Sequence, residues 1–156
     1  MKIEFQGKNL VFQADLIENP AAQEIGKHLP LKMSARTWGD EIYMETGIVA
    51  PSDGATLDVY AGDIAYWPEG KCLCVFFGPT VLSTDAKPVP ASPVVIIGKT
   101  YALSNELRQI RDNDEITVVK ASSGPDVSAQ SERKLSQSEI DELVKRLLEE
   151  KKRQSH

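Results

Sequence analysis

The first residues, Met1-Lys2-Ile3-Glu4-Phe5, already alternate between apolar and polar side chains, and this period of two returns along most of the chain. Such alternation marks strands with one buried face. Residues 2–5 and 9–14 read as two strands around Gly7-Lys8. Met33-Ser34-Ala35-Arg36-Thr37-Trp38 alternates, Gly39-Asp40 turns, and Ile42-Tyr43-Met44-Glu45-Thr46 alternates again, which predicts a second hairpin. Strands at 64–67 and 72–77 follow, joined through Pro68-Glu69-Gly70-Lys71. Val94-Val95-Ile96-Ile97 is apolar on both faces, and 116–121 is a final strand after the turn Asp112-Asn113-Asp114.

Two short helices interrupt the strands. Asn19 is a good N-cap, Pro20 suits the first helical position, and Ala21, Ile25 and Leu29 recur every fourth residue. Gly26 weakens this helix and Pro30 stops it after Leu29. Ser104 is placed to cap a second helix through Leu107 and Ile110. Residues 48–62 are turn-rich, and 78–93 carry Pro79, Pro88, Pro90 and Pro93, an ordered loop or arm rather than a regular element. Many short strands with frequent turns predict a mainly β fold, a closed or nearly closed antiparallel barrel over residues 1–122.

A small, polar linker is expected at 123–135, followed by an amphipathic helix at 136–153. Ser136 and Glu139 form a capping box, with Leu135 and Ile140 as its hydrophobic staple. Ile140, Leu143, Val144, Leu147 and Leu148 make one apolar stripe, flanked by the pairs Asp141–Lys145 and Glu142–Arg146. Burying that stripe is worth roughly 5–10 kcal/mol before entropy is subtracted. The helix therefore needs a surface to cover, either its own barrel or, as a homodimer or partner contact, another chain.

Charge narrows the partners. The net charge is -5, and residues 1–122 carry all of it, with 11 basic against 16 acidic side chains. An acidic body repels phosphate backbones, so nucleic acid is not expected as a ligand. The terminal helix has mixed charge on its polar face, which argues against membrane binding. The alternation from Met1 onward leaves no signal-peptide pattern, and the expected location is cytoplasmic. Cys72 and Cys74 lie two apart in an apolar run, a poor disulfide spacing, and are expected to be reduced and buried. With only His28 and His156 beside them, no metal site or cofactor is expected. Nucleophile elbows, phosphate loops and dinucleotide fingerprints are absent.

Two aromatic concentrations are candidates for binding. Strand alternation puts Arg36 and Trp38 on one face of their strand, and Tyr43 and Glu45 on one face of the next. Pairing would gather the four on a mixed polar and aromatic surface; the plainer reading is a solvated Arg–Glu pair with an aromatic neighbour. Tyr66 and Trp67 are the second group, able to line a pocket mouth or simply to fill the barrel with Phe76 and Phe77.

Taken together, Thr37-Trp38-Gly39-Asp40-Glu41-Ile42-Tyr43, Gly62–Lys71, Cys72–Gly78, Pro90-Ala91-Ser92 and Ile97-Gly98-Lys99 resemble the small prokaryotic cyclophilin-like domain family. The resemblance spans roughly residues 1–122 and implies the barrel of the peptidyl-prolyl isomerases. The Phe-His-Arg run of true cyclophilins is missing, so their chemistry does not transfer residue by residue. The expected function is a cyclophilin-like binding domain for a small molecule or short peptide, contacted by Arg36, Trp38, Tyr43, Glu45, Tyr66 and Trp67. One alternative is a peptidyl-prolyl cis-trans isomerase with Arg36 as its catalytic residue. A second is an assembly module acting through the C-terminal helix.

Overall fold

Eight strands close into one antiparallel barrel: β1 (Lys2–Gln6), β2 (Val11–Leu16), β3 (Leu31–Thr37), β4 (Glu41–Glu45), β5 (Asp63–Trp67), β6 (Cys72–Phe76), β7 (Val95–Thr100) and β8 (Glu115–Lys120). Their order around the barrel is β1-β2-β7-β5-β6-β4-β3-β8, with β8 returning to β1. This is a computed structural model that describes residues 1–121 and, beyond them, Lys145 alone. The expected linker and terminal helix, with the stripe Ile140, Leu143, Val144, Leu147 and Leu148, lie outside the described residues. Among the described residues no helix is long and apolar enough to cross a membrane.

The period of two explains the closure. Every second residue of each strand points inward: Ile3 and Phe5, Phe12 and Ala14, Met33 and Ala35, Ile42 and Met44, Ile64 and Tyr66, Leu73 and Val75, Val95 and Ile97, Ile116 and Val118. Phe5 and Phe12 are register partners and stack at 4.6 Å between centroids. Burying one such side chain contributes about 1.5–3 kcal/mol, so the interior core carries the stability of the barrel.

Helix α1 (Pro20–Lys27) begins as the sequence predicts, with the Asn19 side chain accepting from the Ala22 amide at 2.8 Å. It packs Ala21, Ala22 and Ile25 into the same core. Gly26 is buried beside Met1, whose flexible tip would have to move for a Cβ that came within 2.6 Å of its Cε. Two local expectations need correction. The second strand starts at Val11 rather than residue 9, because Gly7 and Leu10 close the turn through a 2.7 Å backbone bond. Ser104 does not cap helix α2 (Ser104–Leu107); Leu103 occupies the cap position, and the Ser104 hydroxyl donates to the Phe77 carbonyl at 2.9 Å.

Candidate functional site

The outward face of β4, β6 and β5 is itself apolar. Register sets Glu41 opposite Phe76, Tyr43 opposite Cys74, and Glu45 opposite Cys72, while on the other side of β6 Cys74 faces Ala65 and Cys72 faces Trp67. Cys72, Cys74, Phe76 and Ala65 form a second buried cluster outside the barrel, with Val59 and Val94 brought onto it by the two long loops. Tyr43, Trp67 and Ile96 pack at its margin. Both cysteines are free and buried, and burial pushes the Cys72 thiol up to about 11.

The proline-rich segment after β6 is ordered by its own polar side chains. The buried Thr80 hydroxyl donates to the Val89 carbonyl at 2.5 Å, its amide donates to the Ser83 hydroxyl at 2.8 Å, and Ser83 in turn donates to the Lys87 carbonyl at 2.7 Å. Thr56 and Val94 exchange two backbone bonds of 2.8 and 2.9 Å, which ties the first loop to the end of the second. The indole N–H of Trp67 donates to the Ser92 hydroxyl at 2.5 Å. These bonds hold Pro90, Ala91 and Val94 over the outward cluster.

The β3–β4 turn closes the remaining side. Gly39 has φ +63°, and a Cβ there would lie 2.8 Å from the Thr80 Cα, so only glycine lets the turn approach the arm this closely. Asp40 bonds through its amide to the Pro79 carbonyl and through its carbonyl to the Phe77 amide, both at 2.9 Å. Its carboxylate takes a fork from Arg108 at 3.1 and 2.7 Å. Trp38 and Glu41 flank this anchored turn, joined by a 2.9 Å bond from the Trp38 amide to the Glu41 carbonyl.

Between the turn, the sheet and the arm lies a cavity of about 270 Å³. Four aromatic residues line it, Trp38, Tyr43, Trp67 and Phe76, together with Pro90, Ala91 and Val94. The Tyr43 and Trp67 rings meet edge to face at 6.4 Å and 85°, forming a corner of the wall. The remaining lining residue is Glu41, only 6% exposed. Burial raises its carboxyl from an ordinary 4.5 to about 7, partly offset by the neighbouring Cys74 thiol. Among the described residues Glu41 enters no salt bridge. Its side-chain donor is the Cys74 thiol, which is weak and carries no charge to balance the carboxylate.

The residues expected from the sequence divide among three places. Trp38, Tyr43 and Trp67 meet in this cavity. Arg36 pairs in register with Tyr43 but lies outside the aromatic cavity, in an adjacent depression of about 490 Å³ that it shares with Tyr43 and Glu45. Tyr43 is thus the wall between the two. Tyr66 reaches neither: it points into the barrel, where its hydroxyl donates to the Ile48 carbonyl at 2.5 Å and accepts from the Ala50 amide at 3.2 Å. Phe76, expected to fill the barrel, lies instead in the outward cluster and lines the cavity, while Glu41 and the Pro90-Ala91 segment were not among the expected binding residues. Glu41 carried a signal, since it shares the strand face of Tyr43 and Glu45. Among the described residues no group of three or more His, Cys, Asp or Glu is placed to hold a metal ion.

Comparisons with known proteins agree with this architecture. The solution structure of the hypothetical protein AF2241 from Archaeoglobus fulgidus matches at 33% identity, with a TM-score of 0.66, covering 78% of this chain and 95% of that one. The structure of McbB in complex with tryptophan matches at 16% identity and a TM-score of 0.54, over 78% of this chain and 45% of McbB, a likeness of fold. Among curated proteins, no sequence relative is found. The model of the Cyclophilin-like family matches residues 1–119, and the chain belongs to that family.

Proposed function

We propose that this protein is a binding domain whose ligand, a small organic molecule or the side chain of a short peptide, enters the aromatic cavity on the outward face of β4, β6 and β5. The observation that carries this reading is the cavity itself. Four aromatic residues and one buried carboxyl converge on a single concave, largely apolar space, the combination typical of small-molecule sites. At about 270 Å³ it falls just below the range of drug-sized pockets, which favours a compact ligand. The barrel interior offers no competing site, because its side chains fill it.

The geometry gives less support to isomerase chemistry. That reaction needs a donor at the prolyl nitrogen beside an apolar seat for the ring. Here Arg36 lies on the far side of Tyr43 from the aromatic cavity.

The test is an NMR titration of isotope-labelled protein with a panel of small aromatic compounds, tryptophan and a short X-Pro peptide. The expected result is a set of shifts centred on Trp38, Tyr43, Phe76 and the Trp67 indole N–H, without exchange cross-peaks between cis and trans peptide. Shifts confined to other surfaces, or none, would refute the reading. Accelerated cis-trans exchange would replace it with the isomerase, since the uncatalysed process takes tens of seconds or longer.

A further inference from the structure

We propose that the ligand of the aromatic cavity is a small organic cation, an alkylammonium compound with an apolar or aromatic body, held by Glu41 as counter-ion and by the faces of Trp38, Tyr43 and Trp67. The inference rests on the binding reading above and narrows it to a chemical class.

The argument starts from what Glu41 lacks. A carboxyl that is only 6% exposed normally has a cation or several donors around it, because an unpaired buried charge is costly. Among the described residues Glu41 enters no salt bridge, and the side-chain donor set against it is the Cys74 thiol, a weak and neutral one. Two cations beside the turn and its strands are placed elsewhere. Arg108 is committed to Asp40, and Arg36 lies in the depression beyond Tyr43. The cavity is therefore a site with one negative pole and no positive one.

The walls supply the second half of the recognition. The face of an aromatic ring is negative and attracts ammonium groups, most strongly for tryptophan. Two tryptophans and a tyrosine around one carboxyl are complementary to a cation twice over, once through the rings and once through Glu41. An anionic ligand meets the opposite on every side. A neutral ligand would gain the apolar contact and a hydrogen bond to the carboxyl but would not balance the charge of the ionised form. Only a cation does that while also meeting the aromatic walls. At about 270 Å³ the cavity suits a compact ligand.

Three probes that share a phenethyl body separate this class from the wider binding reading: phenethylamine, neutral 2-phenylethanol and anionic 3-phenylpropanoate, each titrated at pH 8 into the full-length protein and followed at the Trp67 indole N–H. The expected order is phenethylamine first, by about tenfold or more over the alcohol, with the carboxylate weakest. Glu41→Gln should remove the preference for the amine and leave the affinity for the alcohol within about twofold. A further arm uses a peptide carrying one lysine between blocked ends; it should bind more weakly than phenethylamine. Equal or tighter binding of the alcohol, a preference that persists in E41Q, or tighter binding of the lysine peptide would each overturn the assignment of a small cation while leaving the cavity as a binding site. Failure of all three probes to shift the cavity residues would remove both proposals together.

Discussion

Replacing Glu41 with glutamine should stabilise the protein above neutral pH and leave its stability unchanged in acid. Burial lifts the carboxyl from an ordinary 4.5 to about 7 in the folded chain. Below pH 4.5 the group is protonated folded and unfolded alike, and it costs nothing. Between 4.5 and about 7 the unfolded chain releases its proton while the folded chain keeps it. The folded state then binds more protons, so stability falls as pH rises through this window. At ~1.36 kcal/mol per pH unit the accumulated penalty is about 3 kcal/mol, which persists above pH 7. Glutamine has the same shape and no charge to desolvate. Urea denaturation of wild type and E41Q at pH 4, 5.5, 7 and 8.5 should give equal stabilities at the first and a gap of about 3 kcal/mol at the last, on the order of 10 °C in Tm. Other carboxylates titrate equally in both proteins and cancel. The nearby thiols stay neutral throughout, with Cys72 at about 11 and Cys74 also raised by burial. A gap that is constant across pH, or absent at pH 8.5, would refute the account of Glu41 as a buried carboxyl without a cation.

Three further outcomes follow from the geometry. Tyr66→Phe removes the hydroxyl that serves the Ile48 carbonyl and the Ala50 amide; it should cost about 1–3 kcal/mol in urea denaturation without changing affinity for any cavity ligand. Gly39→Ala should cost about 2 kcal/mol or more, because a positive φ of 63° coincides with backbone 2.8 Å from the new Cβ, whereas Gly47→Ala, at φ 71° with open space around it, should cost about 1–2 kcal/mol. Gly70→Ala places a methyl 2.5 Å from the Trp67 ring; it should shift the Trp67 indole N–H resonance, weaken ligand binding and cost about 1–3 kcal/mol in urea denaturation.

How much of this could be read in the sequence depends on how locally each feature is determined. Strands came through because alternation is local: Met33, Ala35, Ile42 and Met44 face the core as their spacing requires. The inward face of the 33–46 hairpin could not be assigned from the hairpin alone, since Arg36 with Tyr43 and Ala35 with Met44 are both acceptable faces until the barrel closes. Tyr66 was legible in principle, because it shares a face with Ile64, but its polar tip made it resemble Trp67. Glu41 illustrates the other limit. A glutamate beside a Gly-Asp turn reads as solvated, and the arm residues Pro90, Ala91 and Val94 that share its cavity come from a segment with no periodicity of its own. The coverage of the barrel by residues 48–62 and 78–94 is a property of long-range packing, and it creates the site.

That packing also explains why the site lies outside the barrel. The interior is filled so completely that even the Tyr66 hydroxyl is used up on the backbone at Ile48 and Ala50. A ligand admitted there would have to displace core side chains worth about 1.5–3 kcal/mol each. The outward face of β4, β6 and β5 carries no such constraint. Two loops cover it, each stiffened by its own hydrogen bonds, and they seal Cys72, Cys74 and Phe76 while stopping short at Trp38 and Trp67. On the reading proposed above, binding falls to the outward face of the three strands whose inward face supplies most of the core. Changes at Glu41, Trp38 or Trp67 therefore alter what the cavity holds, with no interior side chain moved. A carboxyl kept buried there without a cation lowers stability at neutral pH, and a bound cation is what would return it.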